Sequence, residues 1–197
     1  MCIKGKIILK FKPMCLILAT ALLLTVVSCG QSKPNAGASG NVHVEEEDIL
    51  NDVVSKTENG GFQFQKIDWK TKREEIKKKV PGASYEEKLT RLKTQEEQDG
   101  KEIVVIYNLQ DDQFCSGEFV TKFNDKSDYE SFVTKVKAQA NDFFKEQPMG
   151  NSLDDLLEGE EVSWEGRDKS YVRICPSGEG DYNENAVSIK VEAPKDL

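Results

Sequence analysis

The spacing of hydrophobic and polar residues changes several times along this chain, and each change marks an element. Met14 to Ser28 form an apolar run broken only by Thr20 and Thr25, behind a front that carries Lys4, Lys6, Lys10 and Lys12 and no acid. A bilayer-crossing helix needs ~18–20 apolar residues, so this shorter run behind a basic front reads as an export signal. The stretch GQSKPNAGASGN that follows has too little apolar content to bury a core and reads as a flexible tether. Ile49, Leu50, Val53 and Val54 then fall at helical spacing behind an acidic turn, as a short helix or as part of the spacer. Gly60 and Gly61 break the pattern, and the folded domain is expected to start at residue 61, with Phe62, Phe64 and Ile67 in an opening strand.

Further along, TKREEIKKKVPG predicts a helix with Thr71 and Glu74 as a reciprocal cap, ended by Pro81 and Gly82. In SYEEKLTRLKTQEEQDG, Ser84 and Glu87 repeat the capping pattern, and Tyr85, Leu89 and Leu92 share one helical face. The segment is read as helix, with an irregular strand as the alternative. The continuous β-branched run of EIVVIYNL predicts a buried strand. FCSGEFVTKF alternates, setting Cys115, Phe119, Thr121 and Phe123 on one face, and QDDQ would join the two strands as a hairpin. In SDYESFVTKVKAQANDFFKEQ, apolar residues from Tyr129 to Phe144 step by threes and fours, a long amphipathic helix behind a Ser127–Glu130 cap. EEVSWEG, SYVRICP and NAVSIKVEA read as three closing strands, the last with one solvated face. This order predicts an α+β fold, an antiparallel sheet of about five strands with helices on one face, over residues 61–197.

Immediately after the apolar run stand Val26, Val27, Ser28 and Cys29. This resembles the lipobox of bacterial lipoproteins. The resemblance implies cleavage of residues 1–28 and lipid attachment at Cys29, with residues 29–60 as lipidated cysteine, tether and short helix. A buried methylene contributes ~0.8 kcal/mol and stable anchoring takes more than one chain, which a multiply acylated cysteine supplies. The implied address is the extracytoplasmic face of a bacterial envelope membrane, held by the lipid anchor.

Loss of the leader takes 27 basic residues to 23 against 35 acids, a net of −12. Such a chain is poorly suited to nucleic acid or to electrostatic docking on anionic lipid. Of five cysteines, Cys2 and Cys15 leave with the leader and Cys29 is the anchor, so Cys115 and Cys175 remain as an even pair in an oxidising compartment. A disulfide between them would close a loop of ~60 residues, worth roughly 4 kcal/mol on the chain-entropy model. Alternation opposes it: Cys115 shares a face with Phe119 and Phe123, whereas Cys175 points away from Val172 and Ile174. Two separate thiols are the alternative.

The single histidine, His43, lies in the tether region. That leaves no Ser-His-Asp triad, no Cys-His pair in the domain and no His-rich metal site. Neither a P-loop nor a dinucleotide fingerprint occurs, and no cofactor is implied. Asp181, Asn183, Asn185 and Glu192 match four ligand places of a helix–loop–helix calcium site, but Ala186 stands where glycine is needed and strand pattern replaces the second helix. A polar hairpin tip explains them better. Asp111-Asp112, Asp154-Asp155 and Glu160-Glu161 would serve glycoside hydrolysis only if two carboxylates faced one another across a cleft. Trp69, Trp164 and Tyr171 could stack on sugars or on a partner, although such residues usually sit at a core boundary. Lys70, Lys72, Arg73, Lys77, Lys78 and Lys79 form one basic cluster, with Glu74 and Glu75 inside it as helical charge pairs.

From IDWKTKREEIKKKVPG to VSIKVEA the domain resembles small envelope lipoproteins of the outer-membrane assembly accessory type and the related β-lactamase-inhibitor-like fold, on a capped helix carrying EEI and the strand-and-helix order around one sheet. The resemblance extends to architecture and to no functional residue. The expected function is a non-catalytic, lipid-anchored binding or scaffolding protein whose partner is an envelope protein or an extracellular ligand. A ligand-sensing module and a carboxylate-dependent hydrolase are the alternatives.

Overall fold

The computed structural model describes residues 48–176 and 185–196. Cys29, the leader, His43, Asp181 and Asn183 lie outside the described residues. Helix α1 (Ile49–Val53) runs into β1 (Val54–Lys56), which pairs antiparallel with β2 (Phe62–Phe64). Helix α2 (Arg73–Lys79) leads to β3 (Ser84–Glu86), a 3₁₀ turn at Glu87–Leu89, β4 (Arg91–Gln98), β5 (Lys101–Gln110) and β6 (Gln113–Phe123). Then come α3 (Lys126–Phe144), a 3₁₀ segment at Leu153–Glu158, β7 (Val162–Glu165), β8 (Tyr171–Cys175) and β9 (Ala186–Glu192). The main sheet is antiparallel in the order β3-β4-β5-β6-β9-β8-β7. The fold is α+β, with seven strands in this sheet rather than about five.

The two additional strands come from the segment read as helix. Of its three apolar residues only Leu92 is buried, while Tyr85 and Leu89 are exposed. Buried backbone groups must be paired. A helix over 84–98 would leave one edge of the apolar β5 open, and β4 closes that edge along its whole length, from Arg91↔Asn108 to Gln98↔Lys101. The short, charged β3 then forms the sheet margin, a composition that discourages further pairing.

Residues of one parity on each strand enter the main core: Leu92 on β4, Val105 and Tyr107 on β5, Phe119 on β6, Val187, Ile189 and Val191 on β9, and Val172 and Ile174 on β8. The stripe of α3, from Phe132 and Val133 through Val136 and Ala140 to Phe144, covers this face, and Ile76 of α2 joins it. Ile49, Leu50, Val53 and Val54 are at most 1% exposed within the same core, so the folded unit starts before residue 61. On the other face Val104, Ile106, Val120 and Ala186 form a small second cluster, and Ser188 is buried with them. The solvated face expected of β9 is therefore not solvated at these positions. Charge pairs such as Lys122–Glu102 at 2.9 Å and Lys190–Glu192 at 3.3 Å stand on that face. Long side chains of this kind cover apolar neighbours with their stems.

Helix starts differ in detail from the capping patterns. Thr71 donates its hydroxyl to the Asp68 carbonyl at 2.6 Å, and Lys72 takes the α2 cap position with no side-chain bond. At α3 the cap is Asp125, which accepts from the Ser127 hydroxyl at 2.6 Å and the Ser127 N–H at 2.7 Å, and these bonds hold its carboxyl below the usual range. A reciprocal capping box does occur at Ser152 and Asp155, ahead of the 3₁₀ segment.

Two contacts fix the β1–β2 hairpin on the core. The Phe64 ring lies directly on the Gly117 backbone of β6, beside Tyr107 (centroids 5.6 Å) and Phe114 (6.3 Å). The Ser170 hydroxyl, fully buried between β7 and β8, accepts from the Phe62 N–H at 2.7 Å and donates to Asp168 Oδ1 at 2.5 Å. No helix among the described residues is long and apolar enough to cross a membrane.

Candidate functional site

An indentation forms where β9 ends and a loop takes over its place beside β6. Ala193 N–H donates to the Cys115 carbonyl at 2.9 Å, after which the chain departs through Pro194 and Lys195. Beyond that point residues 70–72 run along β6: Lys70 N–H donates to the Phe114 carbonyl at 2.9 Å and Phe114 N–H to the Thr71 carbonyl at 2.9 Å. Between this loop, the β5–β6 hairpin tip and the departing C-terminal segment opens a cleft of about 530 Å³.

A β-bulge shapes its floor. Asn108 pairs with Ser116 and Leu109 with Phe114, so Cys115 is an extra residue without a partner position on β5. The bulge turns Phe114 into the core, where it is 1% exposed, and displaces Cys115 from the face of Phe119 and Phe123. Cys115 donates its thiol to the Asn108 carbonyl at 3.4 Å, and Asn108 Nδ2 donates to Ser116 Oγ at 3.0 Å. Burial pushes the Cys115 thiol up, against hydrogen bonding from Ser116 and with a smaller contribution from the Glu192 charge.

One wall is aromatic. Trp69 stacks on Phe114 with centroids 5.1 Å apart and planes 20° from parallel, and its Nε1 donates to the Phe62 carbonyl at 3.1 Å. The ring is thus fixed in position while remaining half-buried at the cleft. Gln110, Asp111 and Gln113 of the hairpin also line the cleft, together with Lys70 and Lys195. Asp111 and Asp112 both take left-handed backbone angles, φ 51° and 62°, as the tight hairpin turn requires.

The expected bridge between Cys115 and Cys175 is not formed, and the sheet order explains why. β9 lies between their strands, with Cys115 beside Ala193 and Cys175 beside Ser188. Five residues along β9 correspond to ~17 Å, far beyond the ~7 Å Cα separation a disulfide tolerates.

The remaining candidates are dispersed. Trp164 is buried against Phe144 at 3.8 Å, so it is a core residue. Tyr171 donates its hydroxyl to Glu165, which also pairs with Lys169; these bonds lower the Glu165 carboxyl and raise the Tyr171 phenol. Asp154 pairs with Lys137, Asp155 caps the 3₁₀ segment, and Glu161 lies 4.0 Å from Arg173. Arg73 is held by Asp112 at 3.2 Å and by Glu74 at 3.3 Å, which partly neutralises the basic cluster. Asn185 precedes β9 in a left-handed conformation, and Glu192 binds Arg173 and Lys190. Among the described residues no group of three or more His, Cys, Asp or Glu side chains could hold a metal.

No family model, no curated protein and no solved structure matches this chain. The cleft therefore has to be interpreted on its own chemistry. It offers a fixed aromatic surface, amide and carboxylate groups, and two ammonium groups. The sequence pointed to Trp69, Lys70, Asp111, Cys115 and Glu192, each for a separate reason, and not to Gln110, Gln113 or Lys195 as site residues. These residues come from three distant segments, and no local spacing links them.

Proposed function

We propose that this chain is a lipid-anchored, extracytoplasmic binding lipoprotein without catalytic activity, and that the cleft beside Trp69 is where it binds. Support for the anchor is the order Val26-Val27-Ser28-Cys29 at the end of an apolar run behind a basic front. The cleft supports the binding role, because its polar side chains surround a fixed aromatic ring. The α+β architecture accords with the resemblance to envelope lipoproteins of the assembly accessory type, and the excess of acids makes nucleic acid an unsuitable partner. A ligand-sensing module is the second reading, favoured by the same cleft.

The anchor is tested by growing cells on an alkyne-tagged fatty acid and analysing the purified protein by mass spectrometry. The expected result is label on the wild-type protein, lost in Cys29→Ala, with the leader removed before residue 29. An unlabelled wild-type protein, or one that keeps residues 1–28, refutes the assignment. Crosslinking of the anchored protein in intact cells then identifies what it holds.

A further inference from the structure

Three features of the cleft bear on the class of ligand. The first is its charge. The lining holds two cations, Lys70 and Lys195, and two anions, Asp111 and Glu192, and so carries no net charge. A site for phosphate or carboxylate would concentrate cations, and one for a basic peptide would concentrate acids. The second is the unspent hydrogen-bonding capacity of the hairpin tip: among the described residues the side chains of Gln110, Asp111 and Gln113 make no hydrogen bond or ion pair. Each is a planar group with two adjacent polar atoms, suited to a pair of neighbouring hydroxyls. The third is the indole of Trp69, whose one face lies on Phe114 and whose N–H is already committed to the Phe62 carbonyl. What remains for a ligand is apolar ring surface.

A pyranose matches all three features, being uncharged, apolar on its C–H face and ringed by vicinal hydroxyls. We infer that the cleft binds a neutral saccharide, one sugar ring lying against Trp69 and its hydroxyls held by Gln110, Asp111 and Gln113. The inference rests on the reading of the domain as a binding module. The indole and the hairpin backbone are pre-organised, held by the Phe114 stack and by the tight Asp111-Asp112 turn, so ordering on binding is confined to the three polar side chains.

The test uses the full chain, solubilised in detergent, titrated with neutral hexasaccharides of glucose, mannose, galactose and N-acetylglucosamine. The chain has two tryptophans, so Trp164→Phe leaves Trp69 as the single indole and its emission as the readout. At least one hexasaccharide is expected to produce a saturable change below about 5 mM, the range of weak but specific contacts. Trp69→Ala removes that emission, so this variant is titrated by isothermal calorimetry beside the wild type, and the binding seen there should be abolished. Should that variant fail to fold, the double variant Gln110→Ala/Gln113→Ala decides, since neither side chain supports the fold; it should weaken binding about 10-fold or more, the equivalent of one or two lost hydrogen bonds. Silence across the whole panel overturns the inference, as does binding that the double variant leaves unchanged. If the sugars fail while cellular crosslinking places another class of ligand at the cleft, the saccharide assignment falls and the binding role stands.

Discussion

Replacing Gly117 by alanine tests the closest approach in the core. A Cβ built at Gly117 would stand 2.1 Å from both Cγ and Cδ1 of Phe64, against an ordinary contact of 3.4–4 Å, so more than an ångström of movement is needed. The ring has nowhere to go. Phe64 is fully buried, flanked by Tyr107 and Phe114, and its strand is tied to β1 through Val54↔Phe64. Overpacking of this kind costs about 1–3 kcal/mol, and the clash places Gly117→Ala at the upper end. At about 2–4 °C per kcal/mol for a chain of this size, the midpoint should fall by ~5–10 °C. The assays are thermal unfolding for the midpoint and urea unfolding for the free energies, both followed by tryptophan emission, in a double-mutant cycle with Phe64→Ala. That second change alone should cost about 3–5 kcal/mol. In its background the added methyl fills vacated space, so Gly117→Ala should cost close to nothing or stabilise slightly, alanine being favoured over glycine in a strand. If the two changes instead add within about 0.5 kcal/mol, the Phe64 contact is not the cause and the reasoning fails.

Ser170→Ala should cost about 1–3 kcal/mol by urea unfolding, because the buried Phe62 N–H loses its acceptor; Ser170→Thr should recover part of that if the pocket admits the methyl, and an unchanged midpoint in Ser170→Ala contradicts the pin. Cys115 and Cys175 should both be alkylated in protein purified without reductant, and migration on non-reducing gels should match the reduced form; a mass two hydrogens lower would contradict the separation across β9. Glu192 contributes to the pH dependence of stability. Burial alone would raise its carboxyl, but hydrogen bonding from Arg173 and attraction from Lys190 and Arg173 bring it below the ordinary 4.5. Its stabilisation is therefore complete above pH 4.5 and lost as pH falls through the lower folded value. Glu192→Gln should lower stability at pH 7 and flatten the acid limb of the stability profile below that point, whereas a limb as steep as the wild type's would show that other groups set it.

Strands and helices with a strict period were legible. β5 and β6, their hairpin at Asp111-Asp112, the α3 stripe, and β7, β8 and β9 all follow from apolar alternation or its helical counterpart. β4 was not, because β3 covers only its first three residues, Arg91–Lys93, and the strand is otherwise polar, with only Leu92 in the core. Its other requirement is set by β5, a neighbour in space that no local window contains. The N-terminal boundary was placed late for a related reason: Ile49 to Val54 form barely more than one turn, and their burial depends on packing against α3. Cys115 shows a third kind of failure. Alternation places it with Phe119 and Phe123, but a single inserted residue changes the parity, and only pairing with β5 reveals the insertion. The cleft shares this difficulty, since Trp69, the hairpin tip and the segment after β9 meet only once the sheet is formed.

The position of β9 constrains when the molecule can become whole. The strand nearest the C-terminus occupies the slot between β6 and β8, so every earlier part of the main sheet is split into two unjoined halves until residues 186–192 arrive. During synthesis a chain that has not yet extended past residue 192 has no continuous sheet on which to consolidate. Removal of residues 186–192 should therefore leave two fragments of sheet unable to close.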